Sequence, residues 1–191
     1  MRSLALVLAV VVATPSAALA QDPQKAPDIA AVERGAFLES DFGASMIVTG
    51  IDGRTFGLGL LTGIFVGYDV LPVLSLSIGA AALVAPGSPD NAPLGDLLFI
   101  SPQLNVQFAF VTTERNFLYV RGSGGFGLAL PDQVSGQQFG GQGPTFSAVV
   151  GFERYTQLRH FSFGVRAGVF AVTRPGFGIA AAIVPGVKYT F

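Results

Sequence analysis

The chain has 191 residues, of which 50% are hydrophobic and 12% are charged, with a formal net charge of −1. Soluble domains carry about 25% charged residues, so the charged fraction is low by about half. The near-neutral balance, without a basic patch or an RNA-binding aromatic motif, excludes nucleic acid as a partner. The chain contains no cysteine, which excludes disulfides, thiolate metal sites and an acylated N-terminal cysteine.

The first segment has the pattern of a secretory signal peptide. Arg2 supplies the positive start, an apolar run covers about residues 4–13, and Ala18-Leu19-Ala20 forms an A-x-A cleavage site. A membrane anchor is the alternative, although the apolar run is short for a bilayer-spanning helix. Residues 1–20 are therefore predicted to be a signal peptide. Residues 21–34 are Pro-rich, charged and aperiodic, and are predicted to be a flexible periplasmic linker.

From residue 35 onward, apolar residues recur at every second position, which is the period of a β-strand. In "LLFISPQLNVQFAF" the polar side chains of Ser101, Gln103, Asn105 and Gln107 all fall on one parity. A helix would distribute them around the apolar side. Eight such segments are predicted, at residues 36–48, 55–70, 74–84, 97–110, 117–130, 145–153, 161–172 and 179–191.

The faces of these segments distinguish between folds. One face is bulky and apolar, and the other carries Gly, Ser and Gln with few charges, which is typical of a narrow barrel lumen. Strands of about 9–15 residues are long enough to cross a bilayer when tilted. The sequence predicts an all-β fold, an eight-stranded antiparallel transmembrane up-and-down β-barrel of the OmpA/OmpX-like architecture, over residues 35–191. A soluble β-sandwich also alternates and remains a competitor.

A helical membrane protein is the second competitor, because residues 70–89 carry no charge. That interpretation is disfavoured by two prolines, Pro72 and Pro86, and by the strict Leu/Ser alternation over residues 74–78. Arg121, Arg166 and Lys188 would each interrupt a helical span, whereas a lumen face accommodates them.

The connections between the strands predict which end of the barrel faces the periplasm. The connections at residues 71–73, 112–116 and 154–160 are predicted to be periplasmic, although the third is longer than expected for a periplasmic turn. The connections at 50–54, 85–96, 131–144 and 173–178 are predicted to be outer loops. Outward aromatic residues collect at the predicted periplasmic ends and resemble an interfacial girdle, with ordinary core packing as the alternative. These residues are Tyr68, Phe110, Phe152, Phe161, Tyr189 and Phe191. The terminal strand, with Tyr189 and Phe191, also resembles the insertion signal that the bacterial barrel-assembly machinery reads.

Little catalytic chemistry is available in the sequence. His160 is the only histidine and lies in a predicted turn, and no Ser or Asp has a His partner within its predicted reach. No residues have metal-ligand spacing. Gly-x-Gly pairs such as Gly57 and Gly59 lack the strand-to-helix context of a phosphate loop. No catalytic, cofactor-binding or metal-binding residue is predicted, and the protein is expected not to be an enzyme.

Six ionisable residues fall on the lumen parity. They are Glu39, Asp41, Arg121, Glu153, Arg166 and Lys188. With three acids and three bases, we expect a mutually neutralising network that fills the lumen, because unpaired charges in a narrow interior are costly. Glu39 and Lys188 belong to the first and last strands, which meet where the barrel closes. A proton or ion path through the lumen is the alternative.

The segments "AVERGAFLESDFGAS" and "GIFVGYDVLP", with the eight-strand length, resemble small outer-membrane barrels of myxobacteria, most closely the adventurous gliding motility proteins of the CglE type. The resemblance implies an envelope component of a gliding apparatus without known enzymatic chemistry. We expect a structural or interaction protein in the outer membrane of a Gram-negative bacterium, set in a gliding-motility or adhesion apparatus. Its expected partners are the lipid bilayer, the barrel-assembly machinery, and envelope proteins that bind the outer loops or the periplasmic linker. A small transport or ligand-binding barrel is the alternative, and a lipid-modifying or proteolytic barrel enzyme is disfavoured.

Overall fold

The computed structural model describes residues 33–49, 51, 55–87, 96–131, 133–134, 137–138, 140–174 and 176–191. The predicted signal peptide, and the predicted linker up to residue 32, lie outside the described residues. No helix in the described part of the chain is long and apolar enough to cross a membrane. The uncharged stretch that begins at residue 70 contributes instead to two paired strands.

Ten strands are present in the described ranges. They are β1 (Ala36–Ile47), β2 (Leu58–Leu71), β3 (Leu74–Ala85), β4 (Leu97–Thr112), β5 (Asn116–Leu130), β6 (Gln133–Val134), β7 (Gln137–Gln138), β8 (Gly141–Tyr155), β9 (Phe161–Val172) and β10 (Gly178–Thr190). Eight of them close a barrel in the order β1-β10-β9-β8-β5-β4-β3-β2, and every neighbouring pair is antiparallel. Strands β6 and β7 form a separate two-stranded sheet. The predicted eight-stranded barrel is confirmed.

The strand register sets the stagger of the barrel. Following paired residues around the barrel from Phe37 leads back to β1 at Ile47, ten residues further along. The path runs through Gly67, Ser77, Asn105, Ser123, Ser147, Phe170 and Ala180. A stagger of this size over eight strands tilts the strands by about 40° and leaves a lumen just wide enough for side chains.

The two ends of the barrel differ. The turn end carries the start of β1, the end of β10 and the three connections at residues 72–73, 113–115 and 156–160. The loop end carries the other connections, including the one that contains β6 and β7. The three longest connections, at residues 48–57, 86–96 and 131–140, all fall at the loop end.

A continuous apolar belt covers the outside of the barrel. Large hydrophobic side chains point outward from every barrel strand, and several in the middle of strands are more than half exposed, such as Phe42 at 63% and Leu104 at 65%. An apolar surface of this extent exceeds the few hundred Å² that soluble monomers expose. Such a surface is favourable in contact with the hydrocarbon of a bilayer. Because the barrel is closed, it leaves no strand edge unpaired in that hydrocarbon. The β-sandwich alternative is therefore excluded.

Two details differ from the sequence prediction at the loop end. Strand β8 begins at Gly141, so the predicted outer loop 131–144 is shorter than expected by its last four residues. Strand β2 begins only at Leu58, although the predicted segment begins at residue 55, and Phe56 is buried and bridges to Gly87. The alternation of the strand does not extend to Phe56 because that residue precedes the strand and packs over the lumen.

We expect the substitution Leu104→Arg to lower the free energy of unfolding by about 2–4 kcal/mol, because it places a cation on the lipid face near the bilayer midplane. Leu104→Ile, which keeps the apolar surface, is the control and changes that free energy little. Denaturant unfolding in phospholipid vesicles measures both. Equal stability of the arginine variant and the wild type would contradict the lipid-facing assignment of this surface.

The barrel lumen as a candidate functional site

Four charged side chains meet in the turn-end half of the lumen. Arg121 binds Glu39 through two hydrogen bonds, from Nη1 to Oε1 at 2.6 Å and from Nη2 to Oε2 at 2.8 Å. Arg166 lies 3.0 Å from Oε2 of the same carboxylate and also pairs with Asp41. Glu39 is only 1% exposed. This quartet contains two acids and two bases, so its charges compensate within the buried lumen.

Neutral polar groups complete the contacts of the two arginines. Gln107 Oε1 accepts hydrogen bonds from Arg121 Nε at 3.1 Å and from Nη2 at 2.7 Å. The Tyr119 hydroxyl accepts a hydrogen bond from Arg166 Nε at 2.5 Å. Arg121 also lies near the faces of Phe65 and Tyr119. Both guanidinium groups are thus held in fixed orientations by several partners, which favours a rigid arrangement.

A second charged group surrounds Lys188 closer to the turn end. Its Nζ lies 3.2 Å from Asp69 Oδ1 and 3.9 Å from Glu153 Oε1, and 4.1 Å from the centre of the Phe37 ring. The hydroxyls of Ser75 and Ser162 donate to Asp69 and Glu153, respectively, at 2.6 and 2.5 Å. Two carboxylates therefore share one ammonium group and two hydroxyl donors.

The six predicted lumen residues are thus brought together in two groups, and Asp69 joins the second. Glu39 and Lys188 are paired residues on β1 and β10, as expected from closure, yet their charges belong to different groups. Sequence reasoning left Asp69 out although it shares the lumen parity of β2. The parity of Asp69 was the signal by which it could have been included among the predicted lumen residues.

Arg34 lies at the turn end, directly below the Lys188 group. Its Nη1 donates to the carbonyl oxygen of Pro72, and its guanidinium lies 5.1 Å from the centre of the Phe117 ring. Arg34 lines a cavity of about 20 Å³ together with Asp69, Glu153 and Lys188. A second cation therefore lies beside the two carboxylates of the Lys188 group, Asp69 and Glu153. The last residues of the predicted linker contact the barrel.

The loop-end half of the lumen is mostly apolar, and it also contains the hydrogen-bonded hydroxyl groups of Ser101 and Thr145. Phe99 and Phe170 pack edge to face with their ring centres 5.7 Å apart. The buried side chains of this apolar cluster are Ile47, Ile51, Phe56, Leu83, Ala85, Leu97, Phe99, Ala129, Phe170, Val172 and Ala180. Sequence reasoning described the lumen face as Gly, Ser and Gln and missed this half. Continuous apolar runs such as "AAALVA" were the available signal, because a strand buried on both faces loses its alternation.

His160 and the aromatic residues of the turn end form a patch at the barrel seam. Tyr189 stacks on His160 with 5.8 Å between the ring centres and packs edge to face with Phe191 at 5.2 Å. His160 Nδ1 lies 2.8 Å from Glu33 Oε2, and both side chains are partly exposed. Tyr189 and Phe191, the predicted insertion signal, point outward. In the described part of the chain, no group of three His, Asp or Glu residues could hold a metal ion.

Solved structures resemble this barrel. Neisserial surface protein A (NspA) is 14% identical, with a TM-score of 0.65, and the match covers 82% of this chain and 97% of that chain. Ail, the attachment invasion locus protein of Yersinia pestis, is 16% identical, with a TM-score of 0.54 and coverage of 83% and 100%. The N-terminal β-barrel domain of Pseudomonas aeruginosa OprF is 13% identical, with a TM-score of 0.51 and coverage of 82% and 98%.

These likenesses concern the fold. Neither a protein-family model nor a curated protein sequence matches the chain. The closed barrel, its apolar belt and its filled lumen define the class as a small eight-stranded transmembrane β-barrel of the OmpA/OmpX-like architecture.

We expect Glu39→Gln to lower the free energy of unfolding by about 3–5 kcal/mol, because it removes the charge that compensates two buried guanidinium groups. Glu33→Gln is the matched control, since Glu33 belongs to an exposed pair with His160 and its loss changes stability by about 1 kcal/mol or less. Reversible denaturant unfolding of the refolded barrels measures both. Similar losses for the two variants would show that the quartet does not stabilise the lumen.

Proposed function

We propose that the protein is a non-enzymatic outer-membrane barrel of a Gram-negative bacterium, exported by the signal peptide at residues 1–20, and that it serves as a structural or interaction component of the cell envelope. The apolar belt and the barrel architecture support a place in the outer membrane. In this orientation the turn end faces the periplasm and the loop end faces outward, because barrels of this kind have short periplasmic turns and longer outer loops.

The filling of the lumen is the observation that carries the proposal. The quartet and the Lys188 group occupy the turn-end half, and the apolar cluster occupies the loop-end half. A lumen packed in this way does not favour the passage of solutes. The outer loops and the N-terminal segment are then the parts of the molecule that remain available to other envelope proteins.

Two kinds of partner follow from this placement. Tyr189 and Phe191 serve as the signal that the barrel-assembly machinery reads during insertion, as their resemblance to such signals implies. Envelope proteins bind at the outer loops or the N-terminal segment. An adhesion role is supported by the likeness of the fold to Ail, an attachment invasion locus protein. A role in a gliding apparatus is supported only by the sequence resemblance to proteins of the CglE type.

A small transport or ligand-binding barrel is the second candidate. A cavity of about 60 Å³ inside the lumen favours it, with Arg121, Arg166 and Asn105 among the lining residues. In this alternative the ionic groups would serve a proton or ion path. The two candidates differ in whether the lumen conducts and in whether the loops bind partners.

Replacement of residues 132–140 by Gly and Ser at equal length tests the interaction role. We expect the envelope proteins that co-purify with the tagged wild type to be lost from this variant, because the connection between β5 and β8 lies at the loop end and contains the β6–β7 sheet, which is separate from the barrel. The same replacement at residues 88–95 tests another outer loop, which the proposal also makes available to partners. Pull-down after cross-linking in cells measures the result. An unchanged set of partners in both variants would contradict a loop-mediated role.

Recording in a planar lipid bilayer tests the transport alternative. We expect the refolded mature protein to give no steady open-channel current, because both halves of its lumen are filled. A general porin in the same bilayer is the positive control. A steady single-channel current from the wild type would overturn the filled-lumen interpretation and favour the transport alternative.

A further inference from the structure

The apolar belt ends in an arginine on β8. The outward residues of this strand are apolar from Pro144 to Phe152, and the next outward residue towards the turn end is Arg154, which is exposed. The step from Pro144 to Arg154 corresponds to about 25 Å along the axis of a barrel whose strands tilt by about 40°. The outward apolar band of a transmembrane barrel has about the same height. Arg154 therefore lies where the hydrocarbon of the bilayer gives way to the lipid headgroups.

Two exposed aromatic side chains lie next to Arg154 and mark the same depth. Phe152 precedes it on the outward face of β8, and Phe163 is its paired residue on β9. Aromatic rings concentrate at the boundary between hydrocarbon and headgroups in membrane proteins. An arginine at this boundary keeps its alkyl stem against apolar surface while its guanidinium group reaches the headgroups. The depth of Arg154 is thus supported both by the length of the belt and by the neighbouring rings.

Two further arginines lie at the turn end near Arg154. The carbonyl oxygen of Arg115 accepts a hydrogen bond from the backbone N–H of Tyr155 at 2.8 Å, and Tyr155 directly follows Arg154. Arg159 is exposed in the connection between β8 and β9. Among the described residues, none of these arginines forms an ion pair with a carboxylate. Arg115, Arg154 and Arg159 are called the arginine rim below.

The positive charge of the rim is local to the turn end. The formal net charge of the whole chain is −1. The loop-end connections contain more acids than bases, namely Asp52, Asp90, Asp96 and Asp132 against Arg54 and Arg174. At the turn end, outside the lumen, Glu33 is paired with His160, and Glu114 is the other acid among the described residues. An anionic ligand is therefore attracted to the turn end and not to the loop end.

A lipid phosphate is the ligand that this placement favours. A guanidinium group donates two parallel hydrogen bonds to a phosphate, and Arg115 and Arg154 belong to neighbouring segments of the chain. The phosphate of a phospholipid lies just outside the hydrocarbon, at the depth of Arg154. An anionic phospholipid fits better than a zwitterionic one, because its headgroup brings no cation towards the arginines.

We propose that the arginine rim binds the headgroup phosphate of an anionic phospholipid in the leaflet at the turn end. Arg154 and Arg115 contact the phosphate, and Arg159 adds attraction at longer range. The bound lipid covers the outward face where β8 ends and fixes the depth of the barrel in the bilayer on this side. The assignment of this leaflet to the periplasmic side rests on the proposed function, whereas the lipid contact itself does not.

Native mass spectrometry of the refolded mature protein tests the proposal. The protein is released from detergent micelles that contain equal amounts of phosphatidylglycerol and phosphatidylcholine with the same acyl chains. We expect bound phosphatidylglycerol to exceed bound phosphatidylcholine by about fivefold or more, because each arginine near a membrane surface strengthens the binding of anionic lipid by about that factor. Equal binding of the two lipids by the wild type would overturn the proposal. This arm needs no variant and does not depend on how a substitution folds.

The substitution Arg154→Gln locates the lipid on the barrel. We expect it to lower the ratio of bound phosphatidylglycerol to bound phosphatidylcholine about fivefold, because it removes one charge of the rim. Arg174→Gln is the matched control, since Arg174 is also exposed but lies at the loop end, and it should leave the ratio unchanged. Equal losses in the two variants would show a general effect of charge and overturn the proposal.

Cell fractionation separates the failure of this inference from the failure of the proposed function. A barrel that prefers phosphatidylglycerol but fractionates away from the outer membrane would contradict the proposed location and the assignment to the periplasmic leaflet. An outer-membrane barrel whose lipid ratio does not respond to Arg154→Gln would overturn the lipid site alone. Outer-membrane fractionation together with a ratio that falls in this variant is the result we expect.

Discussion

The ten-residue stagger at which eight strands close is the constraint on which the rest of the structure depends. It gives a lumen in which every inward side chain must pack against side chains from opposite strands. Glycine supplies the necessary room. A Cβ atom at Gly151 would meet the Tyr119 ring, and one at Gly127 would meet the Phe99 ring. Large lumen side chains and small partners therefore have to occur together.

The same narrow lumen explains why the inward residues are sorted by polarity along the barrel axis. Charges removed from water need partners of opposite sign at short distance, so the quartet and the Lys188 group lie in one half. Apolar side chains gain most when they pack with one another, and they fill the other half. A cavity of about 60 Å³ lies between these two environments.

Much of the fold could be predicted from the sequence because the alternation of a strand is a local property. Parity alone placed Glu39, Arg121 and Lys188 on the inside, and the structure brings each of them into an ionic contact. The identity of their partners could not be predicted, since it depends on the stagger between strands distant in sequence. Glu39 and Lys188 are paired across the seam, yet Glu39 binds Arg121 of β5.

Other features depended on signals weaker than alternation. The apolar half of the lumen was missed because its strands are apolar on both faces, where the period of two is lost. The second predicted segment begins too early, at residue 55 instead of Leu58, because an alternating pattern does not reveal where a strand begins. Arg34 was assigned to a linker by composition, whereas its position below the lumen follows from the contact with Phe117.

The contacts of Glu39 have a consequence for how the chain enters a bilayer. Glu39 lies on β1, while Arg121 and Arg166 are supplied by β5 and β9, which are synthesised much later. A first hairpin that crossed the hydrocarbon alone would carry an uncompensated carboxylate with it, at high energetic cost. Strand-by-strand insertion is therefore unfavourable for this chain. We therefore expect β1, β5 and β9 to bring Glu39 into contact with Arg121 and Arg166 before, or while, these strands cross the membrane.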